Sequence, residues 1–317
     1  MRVIFVTAVG GDIGSSVLKS LRSSFPLDRL VGCDVNEYNQ GIGYLDEFYI
    51  APAYTYKQEY MEFVKTLCLE KNITHFVPMT EPEIKIINEN RDFFQKNGIK
   101  VLIHNANILD IALDKYKTAV YLRKNGVPVP KTWLPIELEY PSEFPVVVKG
   151  RQGCGSKNLA IVHSKEEYVR AIERIENPVV QEYVGTEEEE YTVGIFSNKN
   201  QTEYIAFKRK LGYGGMSIQV ELVEDTQIEH ISMEVAKLFD LAGSINIQMR
   251  KEKGNYYIFE INPRISSTVG FRNKLGFHDI EWWFRLLDHG CERIEYKKEE
   301  KKVIGIRVLE EKIFYID

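Results

Sequence analysis

Long apolar runs are missing from this chain of 317 residues. A membrane-spanning helix needs about 18 or more consecutive apolar residues, and no stretch comes near that length. Residues 1–9 begin directly with a strand pattern and lack the layout of a signal peptide. We therefore expect a cytoplasmic protein that has no membrane partner.

Paired cysteines and histidines are also missing. The 4 cysteines are far apart, and no two have the CxxC spacing of zinc or redox sites. This distribution predicts reduced thiols, as in the cytoplasm. The 6 histidines form no HxxxH or HxH pair, so a histidine metal site is not indicated.

An excess of positive charge is the third absence. The net charge is −5 and no long basic run occurs, so a nucleic-acid partner is not expected. With 44% hydrophobic and 27% charged residues, the composition is that of an ordinary globular protein. The length exceeds that of a typical single domain and predicts two or three structural units.

Strand and helix signals alternate over residues 1–110, which predicts a parallel α/β unit. The glycine turn Gly10–Gly14 follows the first predicted strand, Val3–Ala8, and Asp34 lies about 20 residues further on. This arrangement is typical of a dinucleotide-binding turn. Because the same turn lets any first helix approach its strand closely, an NAD site and a structural turn both stay open.

A glycine-rich loop lies between two predicted strands in the middle of the chain. Strand Phe144–Val148 leads into Lys149, loop 150–157 follows, and Leu159–Val162 is the next strand. A P-loop would carry Gly-Lys-Ser/Thr and continue as a helix, so that motif is excluded. Burying a lysine without a partner is costly, and we expect an anion beside Lys149. A plain hairpin with a lysine that reaches solvent is the alternative.

A predicted hairpin near residue 250 carries polar side chains on one face. If loop 253–255 makes Glu252 pair with Tyr256, then Gln248 lies opposite Glu260. The polar face then holds Asn246, Gln248, Arg250, Glu260 and Asn262, and the apolar face Ile245, Ile247, Met249, Tyr257, Phe259 and Ile261. Two amide oxygens and a carboxylate suit Mg²⁺, although a solvated sheet face would carry the same pattern.

Basic side chains beside strand ends and glycine loops supply the cations that a triphosphate needs. Lys115, Lys149 and Lys208 are three candidates. Arg264 is a fourth and could contact a phosphoryl group in transfer. Each of these is more often a surface charge when considered alone.

The order of these motifs resembles that of the ATP-grasp enzymes. The motifs that carry the resemblance are Asp114-Lys115, Val148-Lys149 with Gly153–Ser156, Gln181–Val184, Glu190–Val193, Asn246–Gln248 and Glu260–Arg264. Gln248 in place of the more usual aspartate is similar to the large subunit of carbamoyl-phosphate synthase, and in particular to short single-module relatives of it.

The resemblance implies an α/β fold with an α+β C-terminal part. Residues 1–113 would form a Rossmann-like domain that precedes the ATP-grasp module. Residues 114–184 would form the N-lobe with its glycine-rich lid, and residues 185–317 the C-lobe with the metal site.

The resemblance also implies a role for each motif residue. Lys115 and Lys149 would contact ATP phosphates, and Gly153, Gly155 and Ser156 would cover them. Gln181, Glu182, Tyr183 and Val184 would form the adenine hinge. Glu190 or one of its neighbours 187–189 would bind the ribose. Gln248, Glu260 and Asn262 would hold Mg²⁺ or Mn²⁺. Arg264 and Lys208 would act in catalysis, and Ser266, Ser267, Thr268 and Arg272 would bind the substrate.

The implied activity is an ATP- and Mg²⁺-dependent ligation of a small carboxylate to an amine. The expected intermediate is an acyl phosphate, and ADP and phosphate are the products. Gly212–Ser217 is a candidate flap that keeps water away from this intermediate. Trp282–Phe284 could form a homodimer interface, although a helix core is the simpler interpretation.

Two other classes of protein stay open. An NAD-dependent oxidoreductase would use the Gly10–Gly14 turn, but the helical Tyr-x-x-x-Lys of short-chain enzymes is missing. Only Tyr204 and Lys208 have that spacing, and they lie in a strand pattern. A non-catalytic ATP-binding protein is the second alternative, and the joint presence of Lys149, Glu260 and Asn262 speaks against it.

Overall fold

The structure is a computed structural model that describes residues 1–153, 158–290, 293–308, 311, 313 and 314. The strands are β1 Val3–Val6, β2 Arg29–Asp34, β3 Glu47–Ile50, β4 His75–Val77, β5 Lys100–Val101, β6 Thr132–Trp133, β7 Val146–Gly150, β8 Leu159–Val162, β9 Pro178–Glu182, β10 Glu190–Asn198, β11 Thr202–Leu211, β12 Ser217–Val223, β13 Ala242–Glu252, β14 Asn255–Asn262 and β15 Ile304–Ile306. The helices are α1 Asp12–Ser24, α2 Lys57–Glu70, α3 Glu81–Glu89, α4 Arg91–Lys96, α5 Ala106–Ala112, α6 Lys115–Lys124, α7 Lys165–Arg174, α8 Thr226–Leu238, α9 Val269–Lys274 and α10 Asp279–His289.

The N-terminal part is a five-stranded parallel sheet with the order β3-β2-β1-β4-β5. Helices cover both faces, with α1 and α10 packed on one side and α2, α3 and α4 on the other. The predicted parallel α/β unit is confirmed. Strand β3 was not predicted, because its half-buried edge position gives it no buried run like that of β1.

Two antiparallel sheets follow. The smaller has the order β6-β9-β7-β8 and packs on α7, and the larger has the order β14-β13-β10-β11-β12-β15. Side chains alternate between the faces of β7: Val146 and Val148 enter the core, whereas Val147 and Lys149 face a cavity between the two sheets. The mixed α/β and α+β architecture agrees with the prediction.

The β13–β14 hairpin differs from the predicted hairpin at its turn. Glu252 pairs with Asn255, so the loop has two residues, Lys253 and Gly254, both with positive φ. This is the conformation that two-residue hairpins favour. A β-bulge beyond Met249 inserts one extra residue into β14 and restores the predicted pairing of Gln248 with Glu260.

The same bulge changes which side chains of β14 face the core. Tyr256, Ile258 and Ile261 are buried in the core, whereas Tyr257 and Phe259 line the cavity. The prediction that Tyr257 and Phe259 lie on the apolar face was therefore wrong. Strict alternation cannot hold across a bulge, because the extra residue reverses the parity of the strand.

Helix α10 joins the parallel sheet to the six-stranded sheet. Its aromatic residues Trp282, Trp283 and Phe284 are buried in one cluster with Ile4 of β1 and Phe196 of β10. Packing in the core of a single chain therefore explains the aromatic residues 282–284, as in the simpler of the two interpretations of their sequence.

A buried ion pair supports α9 and α10. The Arg272 guanidinium donates to Asp279 at 2.8 Å, and both side chains are almost fully inaccessible. Arg272 crosses β10 at Gly194, where an added Cβ would lie 2.7 Å from the arginine Cδ. This glycine is therefore needed for close approach.

No helix within the described ranges has the length and apolar character that crossing a membrane requires.

Candidate active site

A cavity of about 690 Å³ lies between the two antiparallel sheets and extends to the start of α1. It collects most of the site residues predicted from the sequence: Lys115, Lys149, Gly153, Gln181, Glu182, Tyr183, Val184, Glu190, Gln248, Glu260, Asn262, Arg264, Ser266 and Ser267. Gly155 and Ser156 lie outside the described residues. Lys208, Thr268 and Arg272 do not line the cavity.

Lys149 is a buried cation at the end of β7. Its Nζ donates to Gln181 Oε1 at 2.8 Å and to the Phe259 carbonyl oxygen at 3.2 Å. Burial lowers the pKa of this lysine from 10.5 to about 8, although the carboxylate of Glu260 opposes the shift. Thr132 Oγ1 accepts from Gln181 Nε2 at 3.0 Å, so Gln181 is fixed in position to orient the lysine.

Lys115 lies at the first position of α6, next to the glycine loop. Asp114 caps the helix by accepting from the backbone N–H groups of residues 116 and 117, and it also pairs with Arg151 at 2.8 Å. Lys115 Nζ donates to the Gly153 carbonyl oxygen at 2.6 Å. The first residues of the loop are thus attached to the start of this helix.

Glu190 lies between two arginines. Its Oε1 accepts from Arg209 Nη2 at 2.7 Å and its Oε2 from Arg250 Nε at 2.9 Å. Only 4% of Glu190 is exposed. Both carboxylate oxygens are therefore occupied, whereas Glu187, one helical turn earlier in the chain, lines the cavity beside it.

Arg209, and not Lys208, is the cation that β11 contributes to the cavity. Side chains of β11 alternate: Ile205 and Phe207 share the face of Arg209, whereas Tyr204 and Ala206 pack in the core on the opposite face. Lys208 lies on the face of Tyr204 and pairs with Glu189 outside the cavity. Lys208 does not reach the cavity, because it is the neighbour of Arg209 in the strand and its side chain therefore lies on the opposite face of β11.

The end of the β13–β14 hairpin brings amide and carboxylate oxygens together. Gln248 pairs with Glu260, and Asn246 pairs with Asn262. Gln248 Oε1 accepts from Arg209 Nη2 at 2.9 Å, and Asn262 Oδ1 accepts from Arg264 Nη2 at 3.2 Å. Within the described ranges, no group of three His, Cys, Asp or Glu side chains could hold a metal ion.

Buried donors face the same region without partners. The Nδ2 atoms of Asn246 and Asn262 are inaccessible and make no hydrogen bond. Buried polar groups are nearly always hydrogen-bonded, so two such donors in neighbouring strands are an unusual feature of the cavity wall.

The far end of the cavity is formed by the segment after β14 and by the start of α1. Arg264 Nη2 donates to Glu81 Oε1 at 3.2 Å, and Ser266 and Ser267 line the wall. Thr268 and Arg272 belong to the buried network around Asp279 and do not reach the cavity. Sequence position placed both near the site, but only the packing of α9 determines which way they point.

Glycines of the candidate flap line the opposite rim. Gly212, Gly214 and Gly215 border the cavity, and Gly214 and Gly215 have φ values of +71° and +78°. The Gly212 N–H donates to the Met216 carbonyl oxygen at 2.8 Å, which closes a tight turn over the site.

The N-terminal glycine turn has a structural role. Gly10 N–H donates to Asp34 Oδ2 at 2.8 Å, and a Cβ on Gly14 would lie 2.3 Å from the Ala8 carbonyl oxygen. The other oxygen of Asp34 accepts from the Asn36 N–H at 3.0 Å. The carboxylate that would bind the ribose of a dinucleotide is thus used to hold its own turn.

Sequence reasoning missed several cavity residues. Arg209 could have been found from the alternation of β11, since its apolar neighbours Ile205 and Phe207 share its face. The turn Gly10–Ile13, by contrast, is a candidate for substrate choice from its sequence, and the packing of the N-terminal sheet on the C-terminal part brings its residues Asp12 and Ile13 to the cavity.

Comparison with known proteins identifies the two parts of the chain. The family model for an ATP-grasp domain matches residues 112–268, and the model for a PylC-like N-terminal domain matches residues 4–102. Together they account for about four fifths of the chain.

A curated relative and two solved structures are similar to this chain. The carbamoyl phosphate synthase large chain of Archaeoglobus fulgidus is 22% identical in an alignment 304 residues long, and this alignment covers 81% of this chain and 28% of that protein. The chain thus spans little more than a quarter of that relative.

The two structures share the fold. N5-carboxyaminoimidazole synthetase from Staphylococcus aureus, solved with ADP, has a TM-score of 0.76 and 14% identity, covering 98% of this chain and 83% of that one. The biotin carboxylase domain of the Hydrogenobacter thermophilus 2-oxoglutarate carboxylase, solved with MgADP, ADP and bicarbonate, has a TM-score of 0.74 and 19% identity, covering 97% and 74%. The family that the motifs predicted is confirmed: the chain carries an ATP-grasp domain at residues 112–268, preceded by a PylC-like N-terminal domain at residues 4–102.

Proposed function

We propose that this protein ligates a small-molecule carboxylate to an amine, using ATP and Mg²⁺ and passing through an acyl phosphate. The observation that carries the proposal is the charge distribution of one cavity. Lys149, Arg209 and Arg264 line it together with Glu260 and the amides of Gln248 and Asn262. The cations favour phosphate oxygens, whereas the carboxylate and the amide oxygens favour a metal cation that accompanies the phosphates.

The nucleotide would lie along the cavity from the hinge to Arg264. Residues Gln181–Val184 form the hinge, and Glu182 is held by Lys131, whose N–H donates to its carboxylate at 3.2 Å. Because both oxygens of Glu190 accept from arginines, Glu187 is the better candidate for the ribose hydroxyls. Lys149 and Lys115 would contact the phosphates.

The oxygens of Gln248, Glu260 and Asn262 fit a hard cation such as Mg²⁺. A single carboxylate and two neutral amides suit an ion that takes much of its shell from phosphate and water oxygens. When bound, Mg²⁺ would neutralise charge on the phosphates. Arg209 and Arg264, which now donate to two of these oxygens, would be free to donate to phosphate oxygens instead.

The chemistry then requires positioning more than a protein nucleophile. A carboxylate oxygen of the substrate bonds to the γ-phosphorus while the bond to the β-phosphate oxygen breaks, which yields ADP. The amine then attacks the acyl carbon, and phosphate leaves with the electrons of the carbon–oxygen bond and takes up the proton that the amine loses. Arg264 and Lys149 would stabilise the negative charge that develops on the transferring group.

The division of the chain follows the same proposal. Residues 1–113 would support the substrate end of the cavity, 114–184 would carry the lid and half of the hinge, and 185–317 would carry the metal-binding strands. The whole reaction of carbamoyl phosphate synthase is not proposed, because the chain spans only part of such a protein.

Glu260→Gln is the direct test. We expect the variant to keep its fold and to lose release of ADP and phosphate from ATP, Mg²⁺ and pools of carboxylates and amines. Glu252→Gln, at the turn end of the same hairpin and outside the cavity, is the matched control and should retain activity. Undiminished ADP release by the Glu260 variant would refute the metal assignment, and AMP as the product would refute the acyl-phosphate route.

Thermal shift separates the proposal from its rivals. ATP with Mg²⁺ should raise the melting temperature, whereas NAD should not, since only a ligand of the native state stabilises it. A shift with NAD alone would favour the oxidoreductase, and ATP binding without turnover on any substrate pool would favour a non-catalytic protein.

A further inference from the structure

A buried acid of the N-terminal part pairs with an arginine of the C-terminal part. Glu81 is the first residue of α3, and only 6% of it is exposed. Its Oε1 accepts from Arg264 Nη2 at 3.2 Å, across 183 residues of sequence. Taking two charges out of water is costly, and such a pair is maintained only in good geometry. The contact therefore restricts where the Arg264 guanidinium can lie.

Glu81 is not needed to begin its own helix. Thr80 is the N-cap of α3, and its side chain forms a capping box with Glu83. The Glu83 carboxylate also accepts from Thr7 at 3.0 Å and from Tyr60 at 2.8 Å. An acid in the first turn interacts favourably with the helix dipole, but this effect does not require a buried arginine as partner. Glu83 thus stabilises the helix start and the sheet beneath it, whereas Glu81 pairs outside the N-terminal part.

Glu81 lies at the edge of the parallel sheet where such sheets bind ligands. The helix after β1 packs on one face of the sheet and the helix after β4 on the other, so the connections reverse direction between these neighbouring strands. Ligands of open α/β sheets bind outside the carboxyl ends of the strands at such a point. Glu81 follows β4 at this edge, and Ile13, which follows β1, lines the cavity. The contact between Glu81 and Arg264 therefore lies where the N-terminal sheet meets the cavity.

Arg264 has a second acceptor, which belongs to the proposed metal site. Its Nη2 also donates to Asn262 Oδ1 at 3.2 Å. Once this oxygen is used for a metal ion, Glu81 would still accept from the guanidinium. Arginine carries several N–H donors in one rigid plane, so the donors that Glu81 does not use can face phosphate oxygens. Arg264 lines the cavity, whereas Glu81 lies outside its lining and acts from behind.

We propose that Glu81 positions the Arg264 guanidinium for phosphoryl transfer and thereby makes the N-terminal sheet part of the active site. This inference rests on the proposed ligase function, since it assigns a role within the same reaction. Glu81 takes no part in the bond changes and acts only through Arg264. Every residue assigned above to the phosphates or the metal lies within residues 112–268, so this contact brings the N-terminal part into the chemistry.

The kinetic test removes the carboxylate and then restores an acceptor. Glu81→Met keeps the bulk of the side chain but no acceptor oxygen, and we expect it to lower kcat for ADP release about 30-fold. The KM for ATP should change by less than about threefold, because the hinge, Lys115 and Lys149 are unchanged. Glu81→Gln retains an oxygen that can accept from Arg264, and it should recover about fivefold of the lost rate.

Two controls separate positioning from support of the fold. Glu83→Gln alters the neighbouring buried acid; it should lower the melting temperature but leave kcat within about twofold at a temperature where the variant is folded. Adding Glu81→Met to Arg264→Met should cause no further loss of kcat, since Glu81 acts through Arg264. An equal loss of kcat in Glu81→Met and Glu83→Gln, or an additive loss in the double variant, would overturn the inference and leave the ligase function intact.

A spectroscopic arm does not depend on turnover. Phosphorus NMR of bound ATP–Mg²⁺ should show that Arg264→Met and Glu81→Met move the γ-phosphate signal in the same direction and leave the α-phosphate signal in place. Glu83→Gln should move neither signal. An unmoved γ-phosphate signal in Glu81→Met would overturn the role of Glu81, whatever the turnover. Absence of turnover on every carboxylate would refute the ligase function, and the phosphorus signals would still decide whether Glu81 directs Arg264. Absence of any bound nucleotide signal would refute both.

Discussion

Nucleotide binding should be coupled to protonation of the Lys149 side chain. Burial lowers its pKa from 10.5 to about 8, so the free protein is about nine-tenths deprotonated at this position at pH 9 and about one-tenth at pH 7. Phosphate oxygens beside Nζ favour the cation. We expect bound ATP to return the pKa of Lys149 towards its ordinary value.

The magnitude follows from these two pKa values. If ATP restores the ordinary pKa, binding at pH 9 takes up about 0.9 proton per ATP, against about 0.1 at pH 7. The dissociation constant of ATP then rises about tenfold between pH 7 and pH 9, or about 1.4 kcal/mol. The dissociation constant must rise with pH, because only the protonated form of Lys149 attracts the phosphates.

The assay is titration calorimetry of ATP–Mg²⁺ in buffers of different ionisation enthalpy at pH 7 and pH 9. The slope of the observed enthalpy against the buffer enthalpy gives the proton uptake. Lys115→Met is the matched control, since Lys115 donates to Gly153 at the cavity rim. It should weaken ATP binding at both pH values and keep most of the difference in proton uptake, because burial lowers the pKa of Lys149 more than the charge of Lys115 does.

Lys149→Met should abolish the proton uptake that accompanies ATP binding at pH 9, and it should remove most of the affinity for ATP. The variant also isolates the stability effect. A lysine whose folded pKa is depressed stabilises the native state as pH rises from about 8 to 10.5, because the unfolded chain binds the extra proton. Wild type should therefore gain about 3 kcal/mol of unfolding free energy relative to the variant over that interval. Wild-type uptake near zero at pH 9 would refute the burial argument.

Two further predictions concern stability. Arg272→Met should lower the free energy of unfolding by about 3–5 kcal/mol in urea titration, because it leaves the buried Asp279 unpaired. The double variant Arg272→Met with Asp279→Leu should recover part of this loss. A much smaller loss in the single variant would contradict the ion-pair account. Asp288→Asn should lower the free energy of unfolding by about 2 kcal/mol at pH 7, because Asp288 accepts from Arg2, His75 and Lys100. The partial exposure of Lys100 limits this loss. These partners hold the pKa of Asp288 well below its ordinary value, so its contribution is complete above about pH 5 and declines in stronger acid. Wild type and variant should therefore converge at low pH in thermal melts, and a gap independent of pH would argue for packing alone.

The order of motifs determined the family from the sequence alone. A lysine ends a buried strand before a glycine loop, and Gln248 and Glu260 approach each other across a hairpin. The first feature is local, since strand alternation acts over a few residues. The pairing of Gln248 with Glu260 holds only because a β-bulge offsets the turn, which is one residue shorter than predicted. The glycine turn at residues 10–14 could not be assigned in this way. Its structural role depends on Asp34, which the parallel pairing of β1 and β2 brings to Gly10.

Tertiary structure determined the details of the site. A bulge in β14 turned Tyr257 and Phe259 towards the cavity, and alternation in β11 placed Arg209 there in place of Lys208. Sequence periodicity fixes faces only while pairing is regular, and a single extra residue reverses them. Asp12 lies more than 200 residues before Arg264, and only the packing of the parallel sheet on the C-terminal part unites them at one cavity. The sequence thus determined which chemistry the chain carries, and the packing of its sheets decided which side chains meet, because contacts between distant segments leave no local pattern.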